Sequence, residues 1–221
     1  MLTAIDLGLA RGHWLAPHTI AWPRDSLAPG VAPADLDWTL HCSPDGGIDP
    51  DRREPLPWTT IPLGVQPGDL PAPLLDDHPH LSGSIPLSVP ALPDLAELLR
   101  GQVVVTARQR NRRLADASGV QYARLLDQLY PDAVHARLGV TWHDGSPTLR
   151  VWAPTAHHVD VLVWDAGRSL DTSPQRHRMT RADDGTWAAT GDPTWRDARY
   201  LYAVTVFAPS FGRLVENRVT D

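Results

Sequence analysis

Leu149-Arg150-Val151-Trp152-Ala153-Pro154-Thr155-Ala156, followed by the run from His158 to Trp164, is the stretch on which the fold turns. The first part is an apolar strand closed by a proline, which removes a backbone donor and fixes φ. In the second part Val159, Val161 and Val163 share one face while Asp160 points to the other, the period of a half-buried strand. The same reasoning sends Trp152 inward.

Upstream, Val140 and Trp142 lead into His143-Asp144-Gly145-Ser146, where Asp-Gly signals a tight hairpin. Downstream, further strands are expected at Arg176 to Thr180, Thr186 to Thr190, Arg199 to Phe207 and Arg213 to Val219, with Trp187 inward. Short strands separated by such turns predict a compact sandwich of immunoglobulin-like type. The other half of the chain reads similarly. Trp14, Ala16, His18, Ile20 and Trp22 recur at period two, and Leu36 to Ser43, Trp58 to Leu63, Gly83 to Pro90 and Gln102 to Arg110 are further strand candidates. Leu92 to Arg100 predicts a short helix, with Pro93 in its first turn and Gly101 at its stop. Val120, Ala123, Leu126 and Tyr130 share a helical side and predict a helical linker ended by Pro131. The expected architecture is all-β: two tandem immunoglobulin-like β-sandwiches over residues 1–118 and 138–221, joined by a helical linker over 119–137.

Bulk properties narrow the function. A net charge of −6 without a concentrated basic face argues against a nucleic-acid partner. No apolar run reaches the roughly 20 residues that span a bilayer, so no membrane partner is expected. The segment Met1 to Ala10 contains Asp6 and makes a poor secretory signal, which favours the cytoplasm. The one cysteine, Cys42, follows Leu36, Trp38 and Leu40 at period two and reads as a buried, inert thiol. Twenty-two Pro and sixteen Gly suit many short strands, and nine Trp could serve as cores or as sugar-stacking faces. All 20 basic residues are Arg, which reads as a composition bias of the source genome.

The apolar strand ending in Trp152-Ala153-Pro154 and the valine-alternating strand after it resemble the sandwich module, carbohydrate-binding module family 48, that precedes the barrel of α-glucan debranching and branching enzymes. Met179-Thr180-Arg181, Gly185-Thr186-Trp187, Tyr200 to Val206, and Val215-Glu216 through Val219-Thr220-Asp221 follow in the same order. His13-Trp14-Leu15, Ile20-Ala21-Trp22-Pro23 and Glu97-Leu98-Leu99-Arg100-Gly101 with Val103-Val104-Val105 resemble the N-terminal sandwich domain of bacterial type I pullulanases. The resemblance implies a parent that hydrolyses α-1,6-glucosidic branches in pullulan, starch or glycogen with retention. That chemistry needs two carboxyl groups about 5 Å apart. In the family both lie on the catalytic barrel, beyond Asp221, so no catalytic residue and no cofactor is expected within this sequence. The implied partners are α-glucan and that missing barrel. Two alternatives stay open: an autonomous glucan-binding module, and an unrelated cell-surface β-sandwich protein.

Glucan-binding members of the family use aromatic platforms, one of them in the loop after the second strand. Here that loop, Asp165 to Gln175, contains no aromatic residue. Trp164 at its edge, Trp195 in a polar turn and Phe211 in the last hairpin remain as candidate carbohydrate contacts, each also readable as a packing residue. Asp76-Asp77-His78-Pro79-His80 is metal-like in composition, but no further spaced ligand completes a zinc set and it reads as a solvated loop. Asp45, Asp49 and Asp51 lack the spacing and terminal Glu of a calcium loop. No metal is therefore expected. Arg108, Arg110, Arg112 and Arg113 form the one basic cluster and read as a solvated strand end.

Overall fold

A computed structural model describes residues 7–52 and 56–220. They divide into two units: one runs to Leu129 and includes Ala208–Arg213, and the other comprises Tyr130–Phe207 and the residues from Leu214 onward.

The first unit holds β1 (Ala10–Ala16), β2 (Thr19–Trp22), β3 (Leu36–Ser43), β4 (Thr59–Val65), β5 (Ile85–Ser88), β6 (Gln102–Gln109) and β7 (Leu114–Gln121). These strands form one continuous sheet in the order β1-β2-β5-β4-β3-β6-β7 that closes on itself. Closure comes from β1 lying parallel to β7, so the two faces of the sandwich are joined and no long edge is left unpaired. Arg11 secures the seam: its backbone N–H donates to Ser118 Oγ at 2.9 Å and its guanidinium pairs with the buried Asp116 carboxylate.

The alternation from Trp14 to Trp22 is a hairpin and not one strand. Pro17 and His18 form the turn, and Ala16 pairs with Thr19 and Trp14 with Ile20. Folding back keeps Trp14, Ile20 and Trp22 in a single core with Trp38, Leu40, Leu87 and Val105. Trp22 lies edge-on to Trp38 at 5.5 Å, and its indole N–H reaches Asp116 Oδ2 at 3.1 Å. Each large apolar side chain fully buried in this way stabilises the fold by about 1.5–3 kcal/mol. Cys42 belongs to the same core, and burial pushes its thiol pKa up to about 12.

Strand β7 covers Leu114–Gln121 and so extends into the expected linker, whose first residues are strand. Its run Ala115-Asp116-Ala117-Ser118-Gly119 consists of residues depleted in strands, and pairing with β1 and β6 overrides that preference. Val120 is therefore a strand residue, and the expected linker helix is α3 (Ala123–Leu129), preceded in chain order by α1 (Ala72–Asp77) and α2 (Leu95–Leu98). Leu125 of α3 is fully buried in the first core, so this helix is part of the first unit. At Gly101, after α2, a Cβ would run into the Ser43 carbonyl, which excludes any other residue there.

The second unit is an open sandwich. One sheet has the order β11-β10-β14-β15 and the other β12-β13-β9-β8. The strands are β8 (Gly139–His143), β9 (Ser146–Trp152), β10 (His158–Trp164), β11 (Gln175–Arg178), β12 (Thr180–Arg181), β13 (Thr186–Thr190), β14 (Arg199–Ala208) and β15 (Arg213–Val219). Val159, Val161 and Val163 meet Leu149, Met179, Trp187 and Tyr202 between the sheets. The far face of β10 is covered as well. Leu162 and Trp164 pack with Ala203, and Asp160 is held by Arg176 at 2.8 Å and Arg178 at 3.0 Å. Trp152 is not inward as expected. It shares the face of Thr148 and Arg150, opposite Leu149 and Val151, and its indole N–H donates to the Asp184 carbonyl at 3.2 Å.

Candidate functional site

The three aromatic candidates meet three different fates. Trp164 is 3 % exposed, with its indole N–H donating to the Thr172 carbonyl at 2.8 Å. The loop after β10 closes over it, and no stacking face is open. Phe211, at the tip of the β14–β15 hairpin, is 67 % exposed. Trp195 is half-buried in the short 3-10 turn Pro193–Asp197. That turn is started by the Asp192 carboxylate, which accepts from the Thr194 N–H at 2.9 Å; this hydrogen bond also lowers the Asp192 pKa. The Trp195 ring lies over Gly191, where any side chain would collide with it, and meets His177 edge-on at 4.7 Å.

Trp195 opens onto a slot of about 230 Å³ at the margin of the sandwich, lined also by Val140, Trp142, Pro147, Leu149 and Arg196. Trp142 is the member that sequence reasoning missed. It stands on the terminal strand β8 and is 43 % exposed, with the Arg196 guanidinium 5.1 Å above its ring. Alternation placed it in a strand, but only the sheet order reveals that this strand is outermost. Trp142 also borders a polar recess of about 560 Å³, which includes Asp132, His135, Thr141, His143 and Arg150. An aromatic face beside hydroxyl, imidazole, carboxylate and guanidinium groups offers stacking for an apolar ring surface and hydrogen bonds for its substituents. Asp184 at this recess is held below its usual pKa, chiefly by the Thr186 hydroxyl that donates to it at 2.6 Å.

The other sequence candidates belong to the first unit. His78 and His80 rings meet at 5.9 Å and His80 meets His13 at 6.0 Å, while Asp77 pairs with Arg124. Burial, then the neighbouring His80 and His78, lowers the His13 pKa. Among the described residues no three His, Cys, Asp or Glu side chains come together as a metal site.

The first unit and the second match separate families. Residues 9–128 match the Pullulanase N2 domain and residues 137–220 match Carbohydrate-binding module 48, the isoamylase N-terminal domain. These are non-catalytic accessory domains, the second of a carbohydrate-binding type. The chain belongs to the pullulanase N2 domain family, with a family 48 module following in the same polypeptide. It is 33 % identical to a pullulanase of Klebsiella pneumoniae over 99 % of its length, and 29 % identical to pullulanase 1, chloroplastic, of Arabidopsis thaliana over 93 %. It spans about one fifth of those relatives, 19 % and 20 % respectively. The crystal structure of apo pullulanase from Klebsiella pneumoniae superposes with a TM-score of 0.81 at 28 % identity, covering 96 % of this chain and 22 % of that one. A maltotriose complex of the pullulanase from the same organism gives 0.82 at 28 % identity, covering 99 % and 22 %.

Proposed function

We propose that this chain is the accessory region of an enzyme that hydrolyses α-1,6 branches in pullulan, starch or glycogen, and that its second unit contacts α-glucan at the Trp142–Trp195 margin. The observation carrying this reading is the pairing of an exposed Trp142, flanked by Arg196 and Trp195, with an adjoining polar recess in a family 48 sandwich. Glucose rings would stack on Trp142 while the recess hydrogen-bonds their hydroxyls. Phe211 is a further exposed aromatic for the same ligand class. Calorimetric titration with maltoheptaose and with a branched α-1,6 limit dextrin tests the reading. Saturable heat, weakened at least tenfold by Trp142→Ala or Trp195→Ala, supports it. A folded sample that gives no heat with either sugar overturns it.

A second reading has an observation of its own. Val134, Leu138 and Val140 are exposed apolar side chains of the same segment as Trp142. Such a stripe suits packing against a catalytic barrel. In that reading the Trp142 margin is an interface, and joining the barrel to the chain would protect its amides from exchange with no sugar present.

A further inference from the structure

We propose that the first unit carries a saccharide site of its own: the cleft across the outer face of β3, β4 and β6 binds a neutral polyhydroxyl chain, a gluco-oligosaccharide. The cleft encloses about 860 Å³, within the range of ligand pockets. Its floor is set by sheet register, which places Thr39 beside Thr106 and Asp37 beside Arg108 on the face opposite the core. One wall is the turn at Asp49–Asp51 and the other the β6–β7 hairpin tip at Asn111–Arg113.

The walls are held in place before any ligand arrives. The Arg108 guanidinium donates to the Pro50 carbonyl on one side and to the Arg112 carbonyl on the other. Each wall is also braced internally: Asp49 Oδ1 accepts from the Asp51 N–H and Asn111 Oδ1 from the Arg113 N–H, both at 2.9 Å. At the deep end Trp58 Nε1–H donates to His41 Nδ1 at 3.0 Å. An indole only donates, so His41 carries its proton on Nε2 and passes it toward Thr106 Oγ1 at 2.9 Å. Thr106 accepts there and is itself buried, so this chain of hydrogen bonds closes the deep end, and the hydroxyls left to face a ligand are those of Thr39 and Thr60.

The lining chooses the ligand class. A phosphate site concentrates free cations, whereas here Arg52, Arg112 and Arg113 are matched by Asp37, Asp49 and Asp51, and the fourth arginine, Arg108, is engaged by the wall carbonyls. An apolar peptide would need exposed apolar walls, and Trp58 is buried. Guanidinium donors and carboxylate acceptors lining one cleft with threonine hydroxyls suit vicinal diols, which both donate and accept. Arg112 adds a separate indication. It sits at φ 66°, a left-handed position in the hairpin turn that glycine adopts freely and other residues rarely do. The position thus keeps a cation at the cleft rim where the backbone alone would favour glycine.

The choice of glucose as the repeating unit rests on the proposed debranching role; the polyol class rests on the cleft alone. The test is amide and indole NMR on the full chain, titrated with maltoheptaose and, separately, with inorganic phosphate. The expected result is saturable maltoheptaose shifts at the Trp58 indole N–H and the Thr39 and Arg113 amides. Arg112→Gly should weaken these at least fivefold while raising the melting temperature, Thr39→Val should also weaken them, and Trp142→Ala should leave them unchanged. Shifts confined to Trp142 and Trp195 would overturn the cleft and leave the second-unit reading standing. Phosphate shifts without maltoheptaose shifts would overturn it in favour of an anion site. An unaltered affinity in both Arg112→Gly and Thr39→Val would also overturn it.

Discussion

The first unit wraps its sheet round until β1 meets β7, while the second leaves β8, β11, β12 and β15 as terminal strands. Closure spends the whole inner face on one core containing Trp14, Trp22 and Trp38, and polar chemistry is left to the outside of the sheet. The open sandwich keeps a margin between its sheets, and there Trp142 and Trp195 stay accessible. Tryptophan is thus buried throughout the closed unit, whereas the open one buries Trp164 and Trp187 yet displays Trp142, because only the open architecture has an outermost strand to display it.

Four experiments break or sharpen this contrast. Trp22→Ala removes a fully buried indole from the closed core and should cost about 4 kcal/mol. Calorimetry should show the first unit's transition lowered or lost and the second's retained; a common shift of both would refute independent cores. Trp187→Ala is the counterpart in the second unit, where the indole N–H bonds the Ala153 carbonyl at 3.0 Å. It should cost about 3 kcal/mol and spare the first transition.

Acid should distinguish the units next. Burial, and then the Arg108 cation, depress the His41 pKa to about 4 from 6.5. The folded state therefore resists protonation that the unfolded chain accepts. The stability contribution is complete above pH 6.5 and is lost as pH falls toward 4, by about 2 kcal/mol for the first unit. Denaturation curves across that window should show the loss, and His41→Gln should flatten it. The smallest effect on stability belongs to Trp142→Ala. A half-exposed residue on an outermost strand should cost within about 0.5 kcal/mol, yet its removal should abolish most maltoheptaose heat from the second unit. A large loss of stability would instead make Trp142 a core residue.

Much of this was readable from residues alone. Alternation located β3, β6 and β10 nearly to the residue, and the Asp144-Gly145 turn located the β8–β9 hairpin. What escaped was long-range. Period two cannot tell a straight strand from a hairpin whose turn preserves the count, so Trp14 to Trp22 looked unbroken. Nor can it choose which face is inward when both carry large residues, which misplaced Trp152 and hid the covered far face of β10. Of the candidate sugar contacts, Trp195 was visible as an aromatic in a polar turn. Trp142 became visible only through the sheet order, and Trp164 lost its open face to a loop whose path no local pattern encodes.

The Arg11–Ser118 hydrogen bond joins residues 107 positions apart. During synthesis β1 must stay unpartnered on one side until β7 has emerged from the ribosome. Such distant pairing is entropically slow, so sealing the seam should be a late folding event of the first unit. Until then the exposed flank of β1 is the point most open to mispairing with a neighbouring nascent chain.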